Sequence, residues 1–119
     1  MNAILLQEKI DRLLNSVHLL LPDGGNMGYV YSDDLAQLNK SIYDLINELY
    51  PQRGETVEQE AALCLAILMG YSVSMYANSE DEVQKQSVLG RSRKLLPVLS
   101  SSFLKQRLFE ICFKMQEQY

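Results

Sequence analysis

The stretch AALCLAILMGY, residues 61 to 71, carries no charge and no strongly polar side chain. A helix that is apolar on every side has to be surrounded, either by lipid or by protein. Eleven helical residues rise only about 16 Å, against roughly 30 Å of hydrocarbon in a bilayer. Extending the run to Tyr76 takes in Gly70, Ser72 and Ser74. The segment is too short to cross a membrane, so the sequence on either side of it must supply the wrapping.

Working outward, Thr56 and Gln59 have the spacing of a capping box, and Glu58 and Glu60 suit the positive end of a helix dipole. A helix is therefore expected over 57–77, with Asn78 and Ser79 stopping it and capping the next. Upstream, Leu35, Leu38, Ile42, Leu45, Ile46 and Leu49 recur at helical period between the N-cap candidate Ser32, followed by Asp33 and Asp34, and the helix breaker Pro51. Further upstream, residues 3–21 place Leu6, Ile10, Leu13, Leu14, Val17, Leu20 and Leu21 on one stripe. The intervening LPDGGNMGYVY, with Pro22 and three glycines, reads as a loop. Downstream, EDEVQKQS opens a fourth helix with polar turns expected to project into solvent, followed by Val88, Leu89, Leu95, Leu96 and Leu99 for the core. Pro97 ends that helix near Leu96. Leu104, Leu108, Ile111, Cys112 and Met115 form the stripe of a fifth. No segment alternates with period two over a strand's length. The expected fold is an all-α bundle of about five helices around a central apolar one, a single domain over 1–119.

Composition agrees with that architecture. At 119 residues, 47% apolar and 22% charged, the chain is long enough to bury a sizeable core without disulfides or metals. Cys64 and Cys112 are too few for a disulfide framework and fit no zinc or CxxC spacing, as in a protein of the reducing cytoplasm. Glu8, Lys9, Asp11 and Arg12 interrupt the position of a signal-peptide core, so no export signal is read.

Catalysis finds little to work with. His18, the sole histidine, lies at the border of the first apolar stripe, and Cys64 sits in the most apolar stretch, where burial makes a thiol inert. The carboxylate pairs Asp33/Asp34, Glu58/Glu60 and Glu80/Asp81/Glu82 all fall at helix starts, where the dipole accounts for them. DGGN at 23–26 lacks the remaining EF-hand ligands and the Lys-Ser/Thr of a P-loop, and reads as a turn. Neither an enzyme, a cofactor nor a metal is expected.

Charge is unevenly spread. Residues 1–55 carry 4 basic and 8 acidic groups, residues 56–82 carry 0 and 5, and residues 83–119 carry 7 and 2, giving −4, −5 and +5, which sum to the net charge of −4. The basic third raises nucleic-acid binding through Arg91, Arg93 and Lys94 as an alternative, although three cations on a protein of pI near 4.9 make a weak footprint. On the fifth helix, Phe109 and Phe113 are spaced i, i+4 on a face roughly 120° from the apolar stripe. Either a broad interior face absorbs both rings, or with Lys105 they form an exposed patch for a protein partner. Tyr29 and Tyr31 in the glycine-rich loop are a second candidate for partner contact.

The strings YSDDLAQLN (31–39), LYPQRGETVEQEAALCLAILMGY (49–71) and MYAN (75–78), in that order and at these separations, resemble the UpxZ family of antagonists of transcription antitermination. The resemblance covers residues 30–82, a little under half of the chain. It implies a role in capsular polysaccharide operons of gut bacteria, acting in trans against UpxY antiterminators, themselves NusG-like proteins that help RNA polymerase through an untranslated leader. It brings no active-site residues. Tyr31, Asn39, Tyr50, Pro51, Glu60, Gly70 and Tyr71 lie within the matched strings, where Gly70 suits close helix approach and Pro51 a helix stop. The expected partner is a UpxY-like antiterminator, bound by surface contact; the oligomeric state, a homo-oligomer included, is left open.

Overall fold

A computed structural model describes residues 1–20, 32–73 and 79–117. The described chain forms α1 (Ala3–Leu20), α2 (Ser32–Leu49), α3 (Val57–Val73), α4 (Ser79–Leu95) and α5 (Ser102–Glu117), with a 3-10 turn at Leu96–Val98 between the last two. No strand occurs among the described residues. Residues 74–77 of the expected central helix, and the whole of the 22–31 loop with Tyr29 and Tyr31, lie outside the described residues.

α3 is the interior rod. Ala61, Leu63, Cys64, Leu65, Ala66, Ile67, Leu68 and Gly70 are buried all round its cylinder, and each of the other four helices packs against it. Those four contribute one stripe each, from Leu6, Ile10, Leu13 and Val17 on α1 through Ile42, Ile46 and Leu49 on α2 to Val88 and Leu89 on α4 and Leu108, Cys112 and Met115 on α5. Burying a Leu or Ile side chain contributes about 1.5–3 kcal/mol, so this one continuous cluster is the main favourable term in folding.

Short polar devices fix the helix ends. Asn2 Oδ1 accepts the Leu5 N–H at 2.8 Å, Thr56 Oγ1 the Gln59 N–H at 3.0 Å, and Ser101 Oγ the Leu104 N–H at 3.3 Å. Gln59 Oε1 reaches back to accept the N–H of Glu55, the residue before the Thr56 cap, at 3.0 Å, while the Gln59 amide donates to Ala3 O at 2.9 Å and ties the start of α1 to the start of α3. Gly54 is required by proximity, since a Cβ there would stand 2.2 Å from Glu60 N. Gly70 lets α3 approach α2: its Cβ would lie 2.7 Å from Ile46 Cδ1. Pro97 falls in the 3-10 turn, and α4 ends one residue before Leu96 as its position implies.

One expectation is corrected. The polar first turns of α4 do not simply project into solvent, because Asp81 is only 5% exposed and accepts the Tyr43 hydroxyl at 3.1 Å. Gln84 Oε1 accepts the Tyr71 hydroxyl at 2.8 Å. Tyrosine rings on α2 and α3 bury their bodies and leave hydroxyls needing acceptors, and the polar start of α4 supplies them. Only the opposite side, with Glu80, Val83, Gln86 and Ser87, is exposed.

Candidate partner-binding surface

The residues with chemical potential divide into those the fold consumes and those it leaves outside. Glu60, in the first turn of α3, accepts the Gly54 N–H at 2.9 Å and is gripped by Arg91 of α4 through Nε at 3.0 Å and Nη2 at 2.9 Å. Arg91 also donates to Tyr50 O at 3.3 Å and Gln52 O at 3.2 Å, carbonyls in the turn just after α2. Both side chains are largely buried, at 16% and 13% exposure. One ion pair thus joins the end of α2, the start of α3 and the middle of α4. Arg91 therefore leaves the basic surface suggested by its sequence neighbourhood, where Arg93 and Lys94 remain exposed. Helix-dipole complementarity is a sufficient local account of Glu60, so nothing in the sequence points to a partner 31 residues away.

The thiols are interior. Burial pushes Cys64 up from 9.0 to about 11 in spite of the nearby Arg91 guanidinium, and burial also raises Cys112. Ser92, itself buried, donates to Val88 O at 2.8 Å and lies beside both. Neutral thiols of this kind are poor nucleophiles. His18 is exposed. Among the described residues no group of three or more His, Cys, Asp or Glu side chains could hold a metal ion, and no helix is long and apolar enough to cross a membrane.

What remains outside is the far face of α5. Phe109 and Phe113 are 58% and 54% exposed, with ring centroids 6.3 Å apart and planes 18° from parallel. The interior therefore does not absorb them. α5 seats its Leu108–Ile111–Met115 stripe on α3 and also packs against α4 and the 3-10 turn, and among the described residues these contacts leave both rings more than half exposed. Lys105, one turn before Phe109, is exposed and has no ion pair among the described residues. Phe103 adds a third exposed ring at 70%. The structure thus brings Lys105, Phe109 and Phe113 onto one helix face, an arrangement suited to protein recognition: stacked rings offer apolar area at low entropic cost, and the cation adds direction. Phe103 was not singled out from the sequence, although its i, i+4 spacing to Arg107 was available.

A family model described as the UpxZ family of transcription anti-terminator antagonists matches residues 10–114. The chain is also similar to the crystal structure of a transcription anti-terminator antagonist UpxZ from Bacteroides uniformis, at 32% identity and a TM-score of 0.78. That superposition covers 91% of this chain and 66% of the other, so the chain spans about two thirds of the length of its structural relative. No curated protein sequence matches it.

Proposed function

Because this chain belongs to the UpxZ family of transcription anti-terminator antagonists, we propose that it binds a NusG-like antiterminator of the UpxY type and covers a surface that protein needs at the transcription complex. It acts in the cytoplasm, by contact and without catalysis, and the operons it restrains direct capsular polysaccharide synthesis. The observation that carries the contact mechanism is the pair Phe109 and Phe113, stacked on each other, more than half exposed, and flanked by Lys105. Exposed aromatic pairs at a helix surface are costly to leave in water and are typical anchors of protein interfaces. The reading also draws on the fate of Cys64, whose raised pKa removes the best nucleophile from play.

Calorimetry against a panel of UpxY-like antiterminators tests this. Wild type binds at least one noncognate member; the Phe109→Ala/Phe113→Ala variant binds at least about tenfold more weakly while its unfolding free energy stays within about 0.5 kcal/mol of wild type. The apolar anchor also makes the affinity less salt-sensitive than phosphate binding. No binding to any antiterminator removes the proposal. The nucleic-acid reading is left with Arg93 and Lys94 after Arg91 is committed to Glu60, and a leader RNA or DNA shift abolished by neutralising those two would be needed to revive it.

A further inference from the structure

On the other flank of α5, roughly 110° around the helix from the two phenylalanines, a pocket of about 190 Å³ opens between α3 and α5. Its floor is apolar, made by Leu65, Met69 and Ile111, and its rim carries Arg107, Glu110 and Lys114. An apolar cavity of about 150 Å³ takes a benzene ring, so this one has room for a single large aliphatic or aromatic side chain.

The rim is unusual in how its charges are engaged. Arg107 has no carboxylate partner among the described residues: its guanidinium lies over the Phe103 ring at 5.7 Å and donates to Met69 Sδ at 3.6 Å. A thioether is a weak acceptor, so the guanidinium keeps strong donor capacity in reserve. The stack on Phe103 meanwhile holds the planar group in place, which lowers the entropy lost when it takes a better partner. Lys114 likewise has no ion pair among the described residues, and Glu110 accepts the Gln106 amide at 3.2 Å instead of meeting either cation. The contrast with Arg91, which has two carboxylate oxygens and two carbonyls, is complete.

We propose that this pocket is an anchor site for an acidic peptide segment: one large apolar side chain enters the pocket while an aspartate or glutamate one helical turn away meets Arg107 and Lys114. Charge complementarity favours this occupant, because two uncommitted cations stand at the mouth of an apolar floor. A phosphate chain suits it less, since Glu110 shares the rim and the floor offers no donors. The inference rests on the reading above for the natural partner and on the pocket's own chemistry for the ligand class.

The full chain, immobilised, selects from a phage library of random dodecapeptides, and the selected sequences are synthesised and titrated by calorimetry. The expected peptides pair Leu, Ile, Met or Phe with Asp or Glu three or four positions away. They bind the Arg107→Glu variant at least about tenfold more weakly and the Lys114→Glu variant several-fold more weakly, and added salt weakens them. Lys114 is exposed, so its reversal leaves the core untouched and keeps the test valid should Arg107→Glu fold poorly. Selected peptides without acidic residues, binding indifferent to both charge reversals, no selected peptide, or an RNA oligonucleotide binding with the same dependence on Arg107 would each overturn the proposal. If acidic peptides bind as described and no antiterminator does, the antiterminator reading fails and the pocket stands. If an antiterminator binds through Phe109 and Phe113 and ignores both reversals and the peptides, the pocket fails alone.

Discussion

Glu60 and Arg91 show how a single contact can join three segments. The carboxylate holds the Gly54 N–H, and the guanidinium holds the carbonyls of Tyr50 and Gln52, so removing either side chain leaves backbone groups and a charge without partners. Breaking a buried pair from one side costs about 3–5 kcal/mol. With the two side chains 16% and 13% exposed, we expect Glu60→Leu or Arg91→Met to cost about 2–4 kcal/mol, the Glu60→Leu/Arg91→Met double variant to cost less than the sum of these two singles, and urea denaturation to show both. The pair was not legible in the sequence, because each residue had an adequate local explanation: an acid at a helix start, a cation in a basic run. Long-range pairing leaves no mark in periodicity. Cys64 was legible for the opposite reason, since its apolar neighbours at 63 and 65–68 fix its surroundings whatever the packing partners are.

At the level of elements, apolar period marked α1, α2 and α5, caps and helix breakers bounded α3 and α4, and the position of α3 followed from its lack of any polar side. The mutual approach of α2 and α3 is set more finely, by Gly70 against Ile46. Alanine at position 70 gains about 1 kcal/mol of helix propensity but drives its Cβ into the Ile46 side chain, an overpacking that costs about 1–3 kcal/mol. We expect Gly70→Ala to destabilise on balance and Ile46→Val, which trims the crowded Cδ1, to cost less in the Gly70→Ala background than in wild type; thermal and urea melts of the four proteins measure the coupling. α4 was misjudged because a polar stretch reads the same whether its partners are water or tyrosine hydroxyls. Asp81 and Gln84 face the latter. α5 carried two apolar faces in its sequence, and only the packing decided that the Phe109 face stays outside.

For the whole molecule, the buried thiols and the partly buried phenol of Tyr71 make global stability fall at alkaline pH. Cys64 ionises at 9.0 in its ordinary state and at about 11 when folded, so above pH 9 the unfolded chain releases a proton that the native protein keeps. Burial likewise raises Tyr71, with Asp81 adding to the shift. The stability attached to a raised pKa is fully present below the unfolded value and is lost as pH climbs toward the folded one. At about 1.4 kcal/mol per unit, Cys64 alone removes about 2 kcal/mol between pH 9 and 11, and a Cys64→Val variant should show a shallower decline over that window in denaturation curves. The candidate surface was half readable at this scale. Lys105, Phe109 and Phe113 stand out from the stripe of their own helix, whereas the Arg107 pocket needs α3 beside α5 and so belongs to no single stretch of chain.

α5 rests chiefly on α3, with the end of α4 and the 3-10 turn beside it, and Cys112 of the one and Cys64 of the other lie hidden along that junction. A binder that presses the last helix onto its seat should keep both sulfurs sealed; one that levers it off should uncover Cys112 first, since Ser92 and Arg91 of α4 still stand beside Cys64. The molecule thereby carries an internal tell-tale, readable with an ordinary thiol dye, for which way it is being handled.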